Sequence, residues 1–111
     1  MRVSIVTAVK NGAAVIGETL RSIEAQHYPL IEHVVIDGAS TDATREIVLR
    51  EGKRVAVMRS ARDHGVYEAF NSGLAATSGE LVGFLNAGDT YQSVQAIEHI
   101  VAAFEIGRAH V

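Results

Sequence analysis

Apolar and polar positions follow one another along the chain in blocks that predict four strands, each followed by a helix. Four short apolar runs show little alternation, which is typical of strands buried on both faces of a sheet. They lie at 3–8, 32–37, 54–58 and 81–85. In the segments between them apolar residues recur at helical spacing, as Ile16, Leu20 and Ile23 do. The predicted helices are 13–26, 43–51, 65–76 and a last helix after Ser93. This βαβαβαβα order predicts an α/β fold with a mostly parallel sheet and helices on both faces.

The order of the elements also predicts where a ligand would bind. If the sheet winds outward from the first strand and then returns, the fourth strand lies on the other side of the first. A crevice then opens between these two strands at their carboxyl ends. The loops that meet there are Thr7–Asn11 and Asn86–Asp89, which are polar and contain or adjoin glycine.

Turn residues indicate where the second helix begins and ends. Ser40 or Thr41 is a candidate N-cap, and Asp42 suits the positive end of the helix dipole. Gly52 is the expected stop, since glycine is the common residue after a helix.

Composition limits the class of protein. The chain has 111 residues, of which 48% are hydrophobic and 21% charged, as expected for one globular domain. A net charge of −3 gives a nucleic-acid partner no electrostatic support, and the absence of cysteine excludes disulfides and thiolate chemistry. No apolar run approaches the roughly 20 residues that span a bilayer, and the N-terminus does not resemble a signal peptide. We expect a cytoplasmic domain, with any peripheral membrane association made by parts outside this chain.

Two common nucleotide-binding motifs are not present. Residues 12–19, GAAVIGET, match the phosphate-loop spacing GxxxxGK[ST] except that Glu18 replaces the lysine. A carboxylate at that position would repel phosphates, so we interpret the match as accidental. The dinucleotide fingerprint GxGxxG is absent. The sequence therefore disfavours a phosphate-loop nucleotide-binding protein and a dinucleotide-binding protein.

Several single residues allow more than one interpretation. Asp37 ends the second strand; it is either a turn residue capping the next helix or an acceptor for a ligand base or ribose. His64 has no neighbour at metal-ligand spacing, so we interpret it as a loop histidine. Asn71 is either a helix-borne donor to a ligand or an ordinary surface asparagine. Asp89 is the strongest candidate, because one carboxylate plus a diphosphate suffices to hold a hard divalent cation; the alternative is a cap of the helix near Ser93.

Four segments together resemble family 2 glycosyltransferases of the GT-A fold. They are the first strand and its loop, the turn DGASTD after the second strand, the segment DHGVYEAFNSG and the strand that leads to Asp89. They occupy residues 3–12, 35–42, 63–73 and 79–89. The third is similar to a branch linked to exopolysaccharide and lipopolysaccharide assembly of the colanic-acid type. The resemblance covers residues 3 to about 104.

The resemblance implies a truncated, Rossmann-like GT-A domain in which residues 1–104 bind a nucleotide-sugar donor, expected to be a UDP-sugar. The backbone of Thr7–Val9 and the side chain of Asn11 would line the nucleotide pocket, and Asp37 would contact the base. The implied donor-binding set is Thr7, Ala8, Val9, Asn11, Asp37, Asp63, Asn71 and Asn86. Asp89 would hold Mn²⁺ or Mg²⁺ on the diphosphate, and the acceptor would be a glycan or a lipid-linked glycan.

This chain departs from the family pattern in several ways. Asn86 and Gly88 stand where many members have acids, and Phe70 stands where many have arginine. The general base of the family comes from a later region, so we expect it beyond Val111 and expect this chain alone to be inactive. Residues 105–111 depart from the helical pattern, and we expect a truncated or non-native tail there. The alternative is a non-catalytic flavodoxin-like or receiver-like module, although a receiver needs clustered acids after the first strand.

Overall fold

The computed structural model describes residues 1–60 and 65–109. Strands and helices alternate along the chain: β1 Val3–Val9, α1 Ile16–Glu24, β2 Ile31–Asp37, α2 Thr44–Glu51, β3 Val55–Ser60, α3 Val66–Ala75, β4 Leu81–Phe84 and α4 Ala96–Ala109. Each predicted strand and helix is present, with small shifts at its ends. None of the helices in the described ranges is long and apolar enough to cross a membrane.

The sheet is parallel, with the strand order β3-β2-β1-β4. Strand β1 lies between β2 and β4, so that Val6 is beside Val34 on one side and Phe84 on the other. The chain therefore winds outward from β1 to β3 and returns to place β4 on the opposite side of β1. This confirms the predicted switch point between β1 and β4.

Apolar side chains fill both faces of the sheet. On one face, which α1, α2 and α4 cover, the buried residues are Val3, Ile5, Val9, Ile16, Leu20, Ile23, Val35, Val48, Ile97 and Val101. On the other face, Val6, Val34 and Ile36 pack against Ala69 and Phe70 of α3. Burying an aliphatic side chain stabilises a fold by about 1.5–3 kcal/mol, so these layers hold the loops at the sheet edge in place.

Helix α3 approaches the sheet closely because Gly73 has no side chain. A Cβ at this position would overlap Cγ1 of Val6, and Cγ1 of Ile36 would lie 3.3 Å from it. The core leaves little room for a methyl group there, because protein interiors are close-packed.

The ends of α2 agree only in part with the sequence prediction. Gly52 ends the helix as expected, and its N–H donates to the carbonyl of Val48. Asp42 lies at the positive end, where its carboxylate accepts a 3.0 Å hydrogen bond from the Thr44 N–H. The prediction that Ser40 or Thr41 caps α2 is wrong: the N-cap position is Ala43, which makes no side-chain cap.

The last helix is longer than the sequence pattern predicted. Helix α4 continues past Phe104 through Ala109, and Arg108 lies 3.9 Å from the carboxylate of Glu80. Most residues after Phe104 favour helix, and a single glycine costs only about 1 kcal/mol. The predicted departure from the helical pattern is therefore not observed over 105–109, while the native or non-native origin of 105–111 stays a prediction.

Candidate functional site

The loop after β1 is joined to the loop after β2 by hydrogen bonds. The Gly38 N–H donates to the Val9 carbonyl at 2.8 Å, and the Asn11 N–H donates to the Ser40 hydroxyl at 2.8 Å. In return, the Asn11 side-chain oxygen accepts from the Thr41 N–H at 2.8 Å. Asn11 has a φ of 51°, a left-handed conformation that asparagine tolerates better than most residues. The two loops therefore form one connected unit at the carboxyl edge of the sheet.

A cavity of about 130 Å³ opens beside this unit. Its lining residues are Ala8, Val9, Lys10, Ile36, Gly38, Gly65 and Ala69. Ligand pockets usually measure about 300–1,000 Å³, so this cavity holds only part of a nucleotide-sized ligand. The predicted site residues Ala8 and Val9 are among those that line it.

Thr7 was predicted to line the nucleotide pocket together with Ala8 and Val9, but its side chain does not line this cavity. Thr7 is fully buried, and its hydroxyl lies 2.7 Å from Nε2 of His33. His33 is also fully buried, burial lowers its pKa to about 4, and Nδ1 has no hydrogen-bond partner within the described ranges. Only the backbone of Thr7 is therefore available for the predicted role in the nucleotide pocket.

The carboxylate of Asp37 is occupied by its own surroundings. It accepts hydrogen bonds from the Ser40 N–H at 3.1 Å, from the Ser40 hydroxyl and from the Ser60 hydroxyl at 3.0 Å. The guanidinium of Arg45 lies 3.9 Å away, and the Asp37 side chain is 1% exposed. Asp37 thus holds the turn after β2 but does not cap α2, and contact with a ligand base or ribose stays a prediction.

A second turn, Asn86–Asp89, follows β4 and is held by Thr19 of α1. The Gly88 N–H donates to the Thr19 hydroxyl at 2.8 Å, and this hydroxyl donates to the Asp89 carbonyl at 2.9 Å. Asp89 itself is exposed, and its carboxylate makes no hydrogen bond or ion pair with the part of the chain that the structure describes. Because α4 begins only at Ala96, Asp89 does not cap it.

The turn lies against the end of the first loop, as the strand order predicts. A Cβ at Gly12 would be 3.8 Å from Cβ of Ala87, and a Cβ at Gly88 would be 3.5 Å from Cβ of Val15. The turn that carries Asp89 is therefore packed against the end of the loop after β1, at the switch point.

This arrangement fits a divalent cation that takes most of its ligands from a bound diphosphate. Within residues 1–60 and 65–109, no group of three His, Cys, Asp or Glu side chains could hold a metal by itself. Mg²⁺-type ions often take one or two carboxylates from protein and the other ligands from phosphate and water. The single unpaired carboxylate of Asp89 meets that need.

The other predicted residues lie at different places. Asn86 is exposed in the turn beside Asp89, and Asn71 is exposed on α3. Asp63 and His64 lie outside the described residues.

The sequence did not predict the roles of three hydroxyl side chains that shape the site. Ser40 and Ser60 hold Asp37, and Thr19 holds the turn at Gly88 and Asp89. Thr19 alone carries a visible sequence signal, since it interrupts the apolar side of α1.

A sequence profile described as Glycosyl transferase family 2 matches residues 4–111. An uncharacterized glycosyltransferase of Mycobacterium tuberculosis is 34% identical over 102 residues, which cover 91% of this chain and 39% of that protein.

Two solved structures are similar in fold. The mannosyltransferase PcManGT from Pyrobaculum calidifontis, in complex with GDP-Man and Mn²⁺, matches with a TM-score of 0.83 and 30% identity over 90% of this chain and 31% of its own. S. aureus TarS 1-349, in complex with UDP-GlcNAc, matches with a TM-score of 0.82 and 27% identity over 99% and 32%. The chain thus spans between 31% and 39% of the length of these three proteins.

Proposed function

Because the chain belongs to glycosyl transferase family 2, with the α/β fold of GT-A enzymes, we propose that it forms the donor-binding part of a glycosyltransferase. The observation that carries the proposal is that the turn bearing the exposed Asp89 carboxylate, which is unpaired among the described residues, packs against the end of the loop after β1, at the switch point of the sheet. Residues 1–104 make up the donor-binding part, and 105–111 lie outside it. The comparisons do not favour the flavodoxin-like or receiver-like alternative.

The donor in this proposal is a nucleoside diphosphate sugar. One structural neighbour holds GDP-Man and another holds UDP-GlcNAc; we propose a UDP-sugar for this chain. In this proposal the nucleotide base enters the cavity beside the loop after β1. Ala8 and Val9 line this cavity, which supports their role in binding the nucleotide. The rest of the proposed set contacts the nucleotide or sugar from the backbone of Thr7 and from Asn11, Asp37, Asp63, Asn71 and Asn86.

Asp89 is the residue that we propose as the metal ligand, for Mn²⁺ or Mg²⁺. The Mn²⁺ in the complex of the Pyrobaculum calidifontis enzyme supports a divalent ion. When bound, such an ion stabilises the charge of a departing diphosphate as a Lewis acid. Asn86 and Gly88 supply no carboxylate in the same turn, so the affinity for the ion depends on the phosphates.

In this proposal, neither the acceptor site nor the catalytic general base is supplied by this chain. We assign the acceptor to the glycan or lipid-linked class of the exopolysaccharide branch, and the general base to a region beyond Val111. The absence of cysteine is compatible with a reducing cytoplasm, where we place the protein, with any peripheral membrane contact made by other regions.

Calorimetry on the 111-residue chain tests the proposal. UDP and GDP are each titrated into the chain, once in the presence of Mn²⁺ and once in the presence of EDTA. We expect binding of UDP that depends on Mn²⁺ and is lost in Asp89→Ala. Glu80→Ala is the matched control, since Glu80 is an exposed acid just before β4, at the opposite end of that strand from Asp89. Binding that ignores both the metal and the Asp89 substitution would refute the role of Asp89, and a preference for GDP would correct the donor.

A further inference from the structure

Three polar side chains from α1 and the turn after it hold the segment that follows β4. Thr19 bonds to the turn at Asp89, as described above. The Ser22 hydroxyl accepts from the Tyr91 N–H at 2.7 Å, and the side-chain oxygen of Gln26 accepts from the Ile97 N–H at 3.1 Å. We call Thr19, Ser22 and Gln26 the α1 ladder. It fixes the backbone from Asp89 to the start of α4.

Thr19 is the member of the α1 ladder nearest to the proposed metal ligand. Its hydroxyl uses its hydrogen for the Asp89 carbonyl and accepts from the Gly88 N–H, and Thr19 is 0% exposed. The backbone is therefore held on both sides of the Asp89 N–H, while the Asp89 side chain stays free. Gly88 has a φ of 94°, a conformation that glycine adopts readily, so the turn depends on such supports to keep one shape.

We propose that Thr19 is a positioning residue for metal binding: through the Gly88 N–H and the Asp89 carbonyl it aims the Asp89 carboxylate at the diphosphate-bound ion. This inference rests on the proposed function. Groups that orient a metal ligand without touching the metal usually change metal affinity when removed. Thr19 is buried, and its hydroxyl donates to one backbone group of the turn and accepts from another, so its effect passes through the turn.

The test compares Mn²⁺-dependent with Mn²⁺-independent binding of UDP and GDP by calorimetry on the full 111-residue chain. Thr19→Val keeps the shape of the side chain and removes the hydroxyl. We expect it to weaken Mn²⁺-dependent binding by about 10–100-fold and to leave binding in EDTA unchanged. Thr19→Ser keeps the hydroxyl, and we expect it to restore the Mn²⁺-dependent affinity. A purely structural role would weaken both kinds of binding together.

Ser4→Ala is the matched control for loss of a buried hydroxyl. Ser4 is at the amino end of β1, where its hydroxyl donates to Glu32 at 2.6 Å and accepts from the Gly79 N–H at 2.8 Å. We expect Ser4→Ala to lower stability and to leave Mn²⁺-dependent binding unchanged. Equal losses in Ser4→Ala and Thr19→Val would overturn the positioning role.

Asp89→Asn separates the inference from the proposed function. If Asp89→Asn abolishes Mn²⁺-dependent binding while Thr19→Val binds as the unmodified chain does, the role of Thr19 is refuted and that of Asp89 stands. If Asp89→Asn keeps the Mn²⁺-dependent affinity of the unmodified chain, the proposed roles of Asp89 and Thr19 are both refuted. Should Thr19→Val not fold, Thr19→Ala removes the same hydroxyl, and an unchanged Mn²⁺-dependent affinity in that variant overturns the inference.

Discussion

Protonation of the buried His33 is expected to lower the free energy of unfolding in mild acid. Its ordinary pKa is 6.5, and burial lowers the pKa to about 4 in the folded chain. Between these two values the unfolded chain binds the proton and the folded chain does not, so stability is present above pH 6.5 and is lost as the pH falls. Integrated between pH 7 and pH 5, the shift corresponds to about 2 kcal/mol. This interval lies above the range in which ordinary carboxylates titrate.

The measurement is urea unfolding followed by circular dichroism at both pH values. His33→Gln keeps a polar side chain beside Thr7 but does not titrate, so we expect its free energy of unfolding to change far less between the two conditions. His27→Gln is the matched control, because His27 is exposed, and this variant should retain the pH dependence. The reasoning would be refuted if His33→Gln lost as much stability as the unmodified chain, or if NMR titration gave His33 a pKa near 6.5.

Two further substitutions test the packing of α3 and the loop after β1. Gly73→Ala should destabilise the fold by about 1–3 kcal/mol because the new methyl group overlaps Val6. Its control is Gly107→Ala, which should stabilise α4 by up to about 1 kcal/mol, because nothing lies within 4 Å of a Cβ at that position. Equal effects of the two substitutions in thermal unfolding would contradict the described packing. Asn11→Ala should cost about 1–2 kcal/mol, because it places alanine in a left-handed conformation; the Thr41 N–H that loses its acceptor is exposed and bonds to water instead. Asn11→Gly relieves the strain and should cost less in the same assay, so an Asn11→Gly loss as large as that of Asn11→Ala would rule out the strain.

The layout of the sheet could be predicted from the sequence because it depends on local pattern. Continuous apolar runs marked the strands, and helical periodicity marked the connections. Right-handed crossovers then left few strand orders to consider. The same reasoning correctly placed the turn at Asp89 beside the loop after β1.

The hydrogen bonds of the site could not be predicted in this way, because their partners are distant in the sequence. Asp37 is satisfied partly by Ser60, 23 positions away, and Thr19 bonds to Asp89, 70 positions away. Hydrophobic periodicity contains no information about such pairs. The predicted N-cap of α2 was wrong for a local reason, since the Ser40 hydroxyl donates to Asp37, three positions earlier, instead of capping the helix.

The α1 ladder has a consequence for the order in which the chain acquires its structure during synthesis. Gln26 leaves the ribosome long before Ile97, 71 positions later, which supplies the N–H that its side chain binds. Until the segment after β4 is synthesised, the side chains of the α1 ladder lack their hydrogen-bond partners. Contacts between such distant residues form late in folding, since a long loop must close first. Nascent chains that end before β4 should therefore leave the edge of β1 unpaired, and chains that end before Asp89 should lack the turn that Thr19 holds.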